Sequence, residues 1–217
     1  MSNVTTFPPR GAAGGVTPAP SATSAAANTA DRIDPARLIA FFCMVFGMFM
    51  AILDIQIVSA SLSEIQAGLG AGPSEITWVQ TAYLIAEVIM IPLSGYLSRA
   101  LGTRILFSCA AAGFTLSSIM CGLSTSLEEM IVWRVLQGFI GGGMIPTVFA
   151  SAYMIFPRSR MGLITPMIGL VVTLAPTVGP TIGGYLTEYM SWHWLFFINV
   201  IPGIFVTIAA LTLIDFD

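Results

Sequence analysis

"GYLSRALGTRILF" occupies Gly95 to Phe107, and "GYLTEYMSWHWLF" occupies Gly184 to Phe196, 89 residues later. Both open Gly-Tyr-Leu-hydroxyl-charge and close Leu-Phe. Both are flanked on each side by apolar sequence. The first carries Arg99 and Arg104 where the second carries Glu188 and His193. A repeated turn with its charge reversed asks what lies between the two copies.

Composition restricts the answer. The chain has 217 residues, 56% hydrophobic and 9% charged. A soluble domain carries roughly a quarter charged residues, so this chain lacks the polar side chains to cover a globular surface. Apolar runs at roughly 38–60, 76–97, 104–123, 129–154, 161–187 and 193–214 each approach or exceed the ~20 residues that a membrane-crossing helix needs. Backbone groups in lipid are satisfied only inside a helix or a closed barrel. The reading is an all-α membrane protein of six transmembrane helices. Residues 1–36, rich in Ala, Ser, Thr, Pro and Gly, have no apolar period and read as a disordered cytoplasmic tail. Residues 37–217 read as the six-span domain.

Arginine placement orients the spans. All eight basic residues are Arg. Arg10, Arg32 and Arg37 precede span one, Arg99 and Arg104 separate spans two and three, and Arg158 and Arg160 separate spans four and five. Glu64, Glu75, Glu128, Glu129 and Glu188 fall on the opposite side. The positive-inside rule puts the arginine loops and both termini in the cytoplasm. The two opening turns are three crossings apart and therefore lie on opposite faces. Three spans repeated in inverted topology, a recurrent plan of secondary transporters, would explain both the echo and its reversal of charge, against the plainer alternative of chance similarity over thirteen residues rich in common membrane types.

Ionisable residues inside spans cost roughly 2.5–3.5 kcal/mol on insertion scales and point to function by default. Asp54 lies in span one, Glu87 in span two and Arg134 in span four, with Gln137 one turn beyond Arg134. Two carboxylates and one guanidinium neutralise one another in part. A carboxylate beside an arginine stays ionised; parted from it in an apolar setting, it takes a proton. That is the chemistry of a proton-coupled switch, against the plainer alternative of a static ion pair. "GFIGGGMIP" (Gly138–Pro146) and "APTVGPTIGG" (Ala175–Gly184) place small residues at three- and four-residue spacings, which lets helices approach closely in lipid. Pro180 removes an amide donor within the second of these. Cys43, Cys109 and Cys121 lie in apolar runs and read as packing residues. Trp78, Trp192 and Trp194 read as interfacial anchors. No metal-ligand spacing, nucleophile–base pair or phosphate loop is present, so neither an enzyme nor a metal or organic cofactor is expected, and nothing points to nucleic acid.

Five stretches in order resemble the major facilitator superfamily, specifically its fourteen-span EmrB-type drug:proton antiporters. "LDIQIV" (Leu53–Val58) resembles the span-one motif, "GYLSRALGTRILF" the loop motif after span two, and "RVLQGFIGGG" (Arg134–Gly143) the span-four motif. "APTVGPTIGG" resembles the span-five antiporter motif, and "WHWLFFINVIPG" (Trp192–Gly203) the entry to span six. The resemblance implies an N-terminal half of a major facilitator fold, driven by a proton gradient. Asp54, Arg134, Glu87 and Gln137 become the proton and substrate coupling candidates. Gly95, Arg99, Gly102 and Arg104 would form the cytoplasmic gating turn, and Gly179, Pro180, Gly183 and Gly184 the bend at the meeting of two transporter halves. Amphipathic drug-like molecules are the implied substrates and the bacterial inner membrane the implied location. A periplasmic adaptor, an outer-membrane channel, a separate C-terminal half or a second copy are the implied partners. Gln56, Ser59 and Ser98 depart from the usual Thr, Asn and Asp, and Pro166 and Ala175 from the frequent Gly. The chain ends just after span six, so the expectation is an N-terminal half or truncated product. The alternative is a half-transporter that does not transport, or does so only with a second chain.

Overall fold

A computed structural model describes residues 33–215. Of the tail expected to be disordered, 1–32 lies outside the described residues. Nine helices are found among the described residues: α1 (Pro35–Ala60), α2 (Leu62–Leu69), α3 (Trp78–Leu101), α4 (Thr103–Gly122), α5 (Leu127–Gly141), α6 (Met144–Ile155), α7 (Arg158–Tyr189), α8 (Trp194–Phe197) and α9 (Val200–Leu213). Six segments are long and apolar enough to cross a bilayer, with α5–α6 forming span four and α8–α9 forming span six.

Local chemistry explains the boundaries. The Asp34 carboxylate accepts from Ala36 N at 3.1 Å and Pro35 occupies the first helical position, where its missing N–H costs nothing. At α5, Ser126 Oγ accepts from Glu129 N while Glu129 Oε2 accepts from Thr125 N and its hydroxyl, a capping-box arrangement. Gly102 joins α3 to α4 at φ +84°, a conformation that favours glycine. Spans four and six are each interrupted four residues before a proline. Pro146 cannot donate to Gly142 O, and the helix breaks at Gly142–Gly143; Pro202 cannot donate to Ile198 O, and it breaks at Ile198–Asn199.

Span one is the hub. It buries Phe41, Met44, Met48, Ile57 and Val58 and packs chiefly on spans five and six. Span four packs chiefly on spans two and three, and span three also meets span six. Exchanging spans one, two and three with four, five and six turns this pairing into itself. The packing thus has the symmetry that the two echoing turns imply. Both turns are also helix–break–helix: α3 gives way to α4 at Gly102, and α7 to α8 across Met190–His193. Spans two and five are the least buried. They turn large apolar side chains such as Ile85, Val88, Ile89, Leu163 and Leu170 outward, the signature of a chain solvated by lipid or by more protein rather than by water.

Candidate functional site

A cluster of buried polar residues gathers at the end opposite the Arg99–Arg104 turn. Arg134 is fully buried in α5, and its Nη1 meets Asp54 Oδ2 of α1 at 2.7 Å, with neither side chain exposed. Three more hydrogen bonds fix the guanidinium. Nη1 also donates to Gln137 Oε1 at 2.9 Å, Nη2 to Gln80 Oε1 at 3.0 Å and Nε to Val79 O at 3.1 Å. The planar fork serves all four acceptors at once, which an ammonium could not. The ring of Tyr83 lies 4.2 Å from the guanidinium carbon and that of Phe196 at 5.8 Å, adding cation–π attraction in a desolvated setting.

Asp54 is held from its other side by Asn199, which sits in the break of span six. Asn199 Nδ2 donates to Asp54 Oδ1 at 2.7 Å and to Ser118 Oγ at 3.1 Å, and Ser118 Oγ donates to Phe196 O at 2.7 Å. Both carboxylate oxygens accept charge-assisted or short hydrogen bonds, which is how an ionised acid is kept inside a protein. Gln80 Nε2 donates to Ile55 O at 3.3 Å, and Cys121 Sγ lies 3.7 Å from Gln137 Oε1. Every span except five contributes. Asp54 thus joins span one to span four through Arg134 and to span six through Asn199.

The predicted residues separate into four places. Asp54, Arg134 and Gln137 come together. Glu87 lies one turn beyond Tyr83 on α3, buried, with its Oε1 lacking a hydrogen-bond partner and with no ion pair among the described residues. Gly179 and Gly183 face span one: a Cβ on Gly179 would lie 2.6 Å from Gln56 Cβ, and one on Gly183 2.8 Å from Ser61 Oγ. They bring span five against span one beside Asp54, while Pro180 and Gly184 face outward and α7 runs unbroken through them. Gly95, Arg99, Gly102 and Arg104 lie at the far end, where Gly95 falls inside α3 and only Gly102 makes the turn. Sequence reasoning missed Asn199, Ser118, Gln80 and Tyr83. Asn199 carried a signal, an isolated amide within the apolar run "LFFINVI".

The profile of the Major Facilitator Superfamily matches residues 44–216. The chain belongs to the Major Facilitator Superfamily. It is 55% identical over 166 residues, 76% of its length, to the colistin resistance protein EmrB of Acinetobacter baumannii, and covers 32% of that protein. It is 36% identical over 158 residues to the fatty acid resistance protein FarB of Neisseria gonorrhoeae, covering 73% of this chain and 31% of that one. The putative multidrug resistance protein MdtD of Yersinia pestis is 37% identical over 77% of this chain and 36% of its own. The chain therefore spans about a third of the length of the curated relatives it matches. A D-xylose-proton symporter has the same fold at a TM-score of 0.70 and 14% identity, over 82% of this chain and 48% of that one. The inward-open xylose transporter of E. coli gives 0.66 at 18% identity, over 81% and 47%. This superfamily member is a multi-pass membrane protein, and its six spans correspond to about half of those solved transporters.

Proposed function

We propose that this chain is the N-terminal six-span part of a proton-coupled exporter of amphipathic drug-like molecules in the bacterial inner membrane, with Asp54 as the coupling acid. The buried Asp54–Arg134 pair carries the reading. An ion pair taken wholly out of water is weak evidence for stability, because desolvation offsets most of its Coulombic gain. Its value lies in having two states. Paired, Asp54 is ionised and spans one and four are joined. Protonated, Asp54 no longer holds Arg134, and the helices are free to rearrange as proton influx drives substrate outward. The names of the drug-resistance relatives support the substrate class, and the arginine distribution supports cytoplasmic termini. Gly102, Arg99 and Arg104 form the cytoplasmic turn of the switch, and Gly179 and Gly183 set the span-one–span-five crossing.

The test uses everted membrane vesicles expressing the chain, alone and within its complete reading frame, with a fluorescent reporter of the proton gradient. An amphipathic cationic dye is expected to discharge the gradient through wild type and not through Asp54→Asn. Discharge by Asp54→Asn at the wild-type rate would refute the assignment of Asp54. Activity in the complete frame but not in the chain alone would identify the chain as an assembly-dependent half.

A further inference from the structure

Glu87 is the carboxylate of the spans that Arg134 does not serve. It lies about two and a half turns into α3 and is 7% exposed. Its Oε1 is buried with no hydrogen-bond partner, and no ion pair among the described residues includes it. Opposite it is the break in span four: a Cβ on Gly142 would come within 3.1 Å of Glu87 Cα and 3.2 Å of its Cγ. The groups facing this position are few. From span four comes Arg134, already committed to Asp54, Gln137, Gln80 and Val79. From span one comes Asp54, an anion. On its own helix is Tyr83, whose hydroxyl is also buried without a partner, as is Gln137 Nε2.

An ionised carboxylate here would be buried with its Oε1 lacking a donor, and with only a share of the charge of Arg134, whose guanidinium is paired with Asp54. A neutral carboxylic acid avoids burying that charge. It also gains an O–H donor in a region where Pro146 leaves the Gly142 carbonyl without its helical donor. We propose that Glu87 is a second proton-binding site, filled in the conformation in which Asp54 is ionised and paired with Arg134. This inference rests on the reading of Asp54 as the coupling acid, and it gives the two acids opposite protonation states in one conformation. Glu87 keeps one exposed edge, from which the proton leaves to a water molecule and the carboxylate is left to be solvated.

Infrared spectroscopy of the purified chain in lipid nanodiscs tests this without any transport assay, so its failure and the failure of the Asp54 reading are separable. At neutral pH the wild type is expected to show the carbonyl stretch of a protonated carboxylic acid. The band should be absent from Glu87→Gln and should fade in wild type as the pH is raised on folded protein. Should Glu87→Gln fail to fold, isotope labelling replaces it: the band should move with carbonyl-labelled glutamate and stay put with labelled aspartate. Absence of the band from wild type, its survival in Glu87→Gln, or its movement with labelled aspartate overturns the proposal. A glutamate band that persists at alkaline pH until the protein unfolds also overturns it, because Glu87 would then be a fixed hydrogen-bond donor.

Discussion

Neutralising Asp54 and Arg134 singly and together should show strong coupling. At 2.7 Å the pair attracts with about 6 kcal/mol at an effective dielectric of about 20. Removing one member strands the other. Asp54→Asn leaves a buried guanidinium without its anion, and Arg134→Gln leaves a buried carboxylate with only the Asn199 amide. Each single change should cost about 3–5 kcal/mol. The double variant has no stranded charge. It still lacks the bonds from Arg134 to Val79 and Gln80, yet it should be more stable than Arg134→Gln alone. Unfolding by added SDS in mixed micelles, followed by tryptophan fluorescence, gives the four free energies. The expected outcome is a double variant several kcal/mol more stable than the sum of the singles predicts. Additivity within about 0.5 kcal/mol would mean that the two side chains do not share a buried contact, and the proton switch built on them would fall.

Three further outcomes follow from the same geometry. Gly138→Ala directs a Cβ at the backbone carbonyl of Tyr83 and should lower stability by about 1–3 kcal/mol through overpacking, whereas Gly169→Ala, with nothing within 4 Å, should be neutral or stabilising in the same unfolding measurement. Asn199→Leu removes the donor to Asp54 Oδ1 and should cost about 1.5–3 kcal/mol, an effect expected to shrink in an Asp54→Leu background to what the lost bond to Ser118 accounts for. Reporter fusions should place the Gly102 turn in the cytoplasm and the Ser191 turn outside; the reverse pattern would overturn the orientation.

The spans were legible because the bilayer imposes length and apolarity on contiguous residues, and Trp78–Leu101 and Thr103–Gly122 fall within a few residues of the expected 76–97 and 104–123. The Asp54–Arg134 pairing was legible as chemistry, since two buried opposite charges seek each other. Glu87 was not separable from Asp54 on that ground. The difference is one of depth: Asp54, near the C-terminus of α1, and Arg134, near the N-terminus of α5, both lie within about two turns of the same end of the bundle, whereas Glu87 is deeper. Asn199, Ser118, Gln80 and Tyr83 share that end as well. A reader who ranked polar residues by distance from their helix termini would have gathered them. What sequence could not supply is which of six helices touch. The breaks at Gly142–Gly143 and Ile198–Asn199 lie four residues before Pro146 and Pro202, yet Pro92, Pro166, Pro176 and Pro180 sit within unbroken helices, so proline position alone did not mark them.

The ties around Arg134 fall into two groups. One joins spans two and four through Val79, Gln80, Tyr83 and Gln137; the other joins spans one, three and six through Asp54, Asn199, Ser118 and Phe196. Apart from the ion pair, the hydrogen bonds that cross between these groups are Gln80 to Ile55 at 3.3 Å and Cys121 to Gln137 at 3.7 Å. In the language of graphs, Asp54–Arg134 is the heaviest edge of a small cut. Deleting it leaves Arg134 on span two and Asp54 on span six. That cut divides the hydrogen bonds and not the packing, since span four packs on span three as well as on span two: the polar ties and the apolar contacts of span four draw on different neighbours.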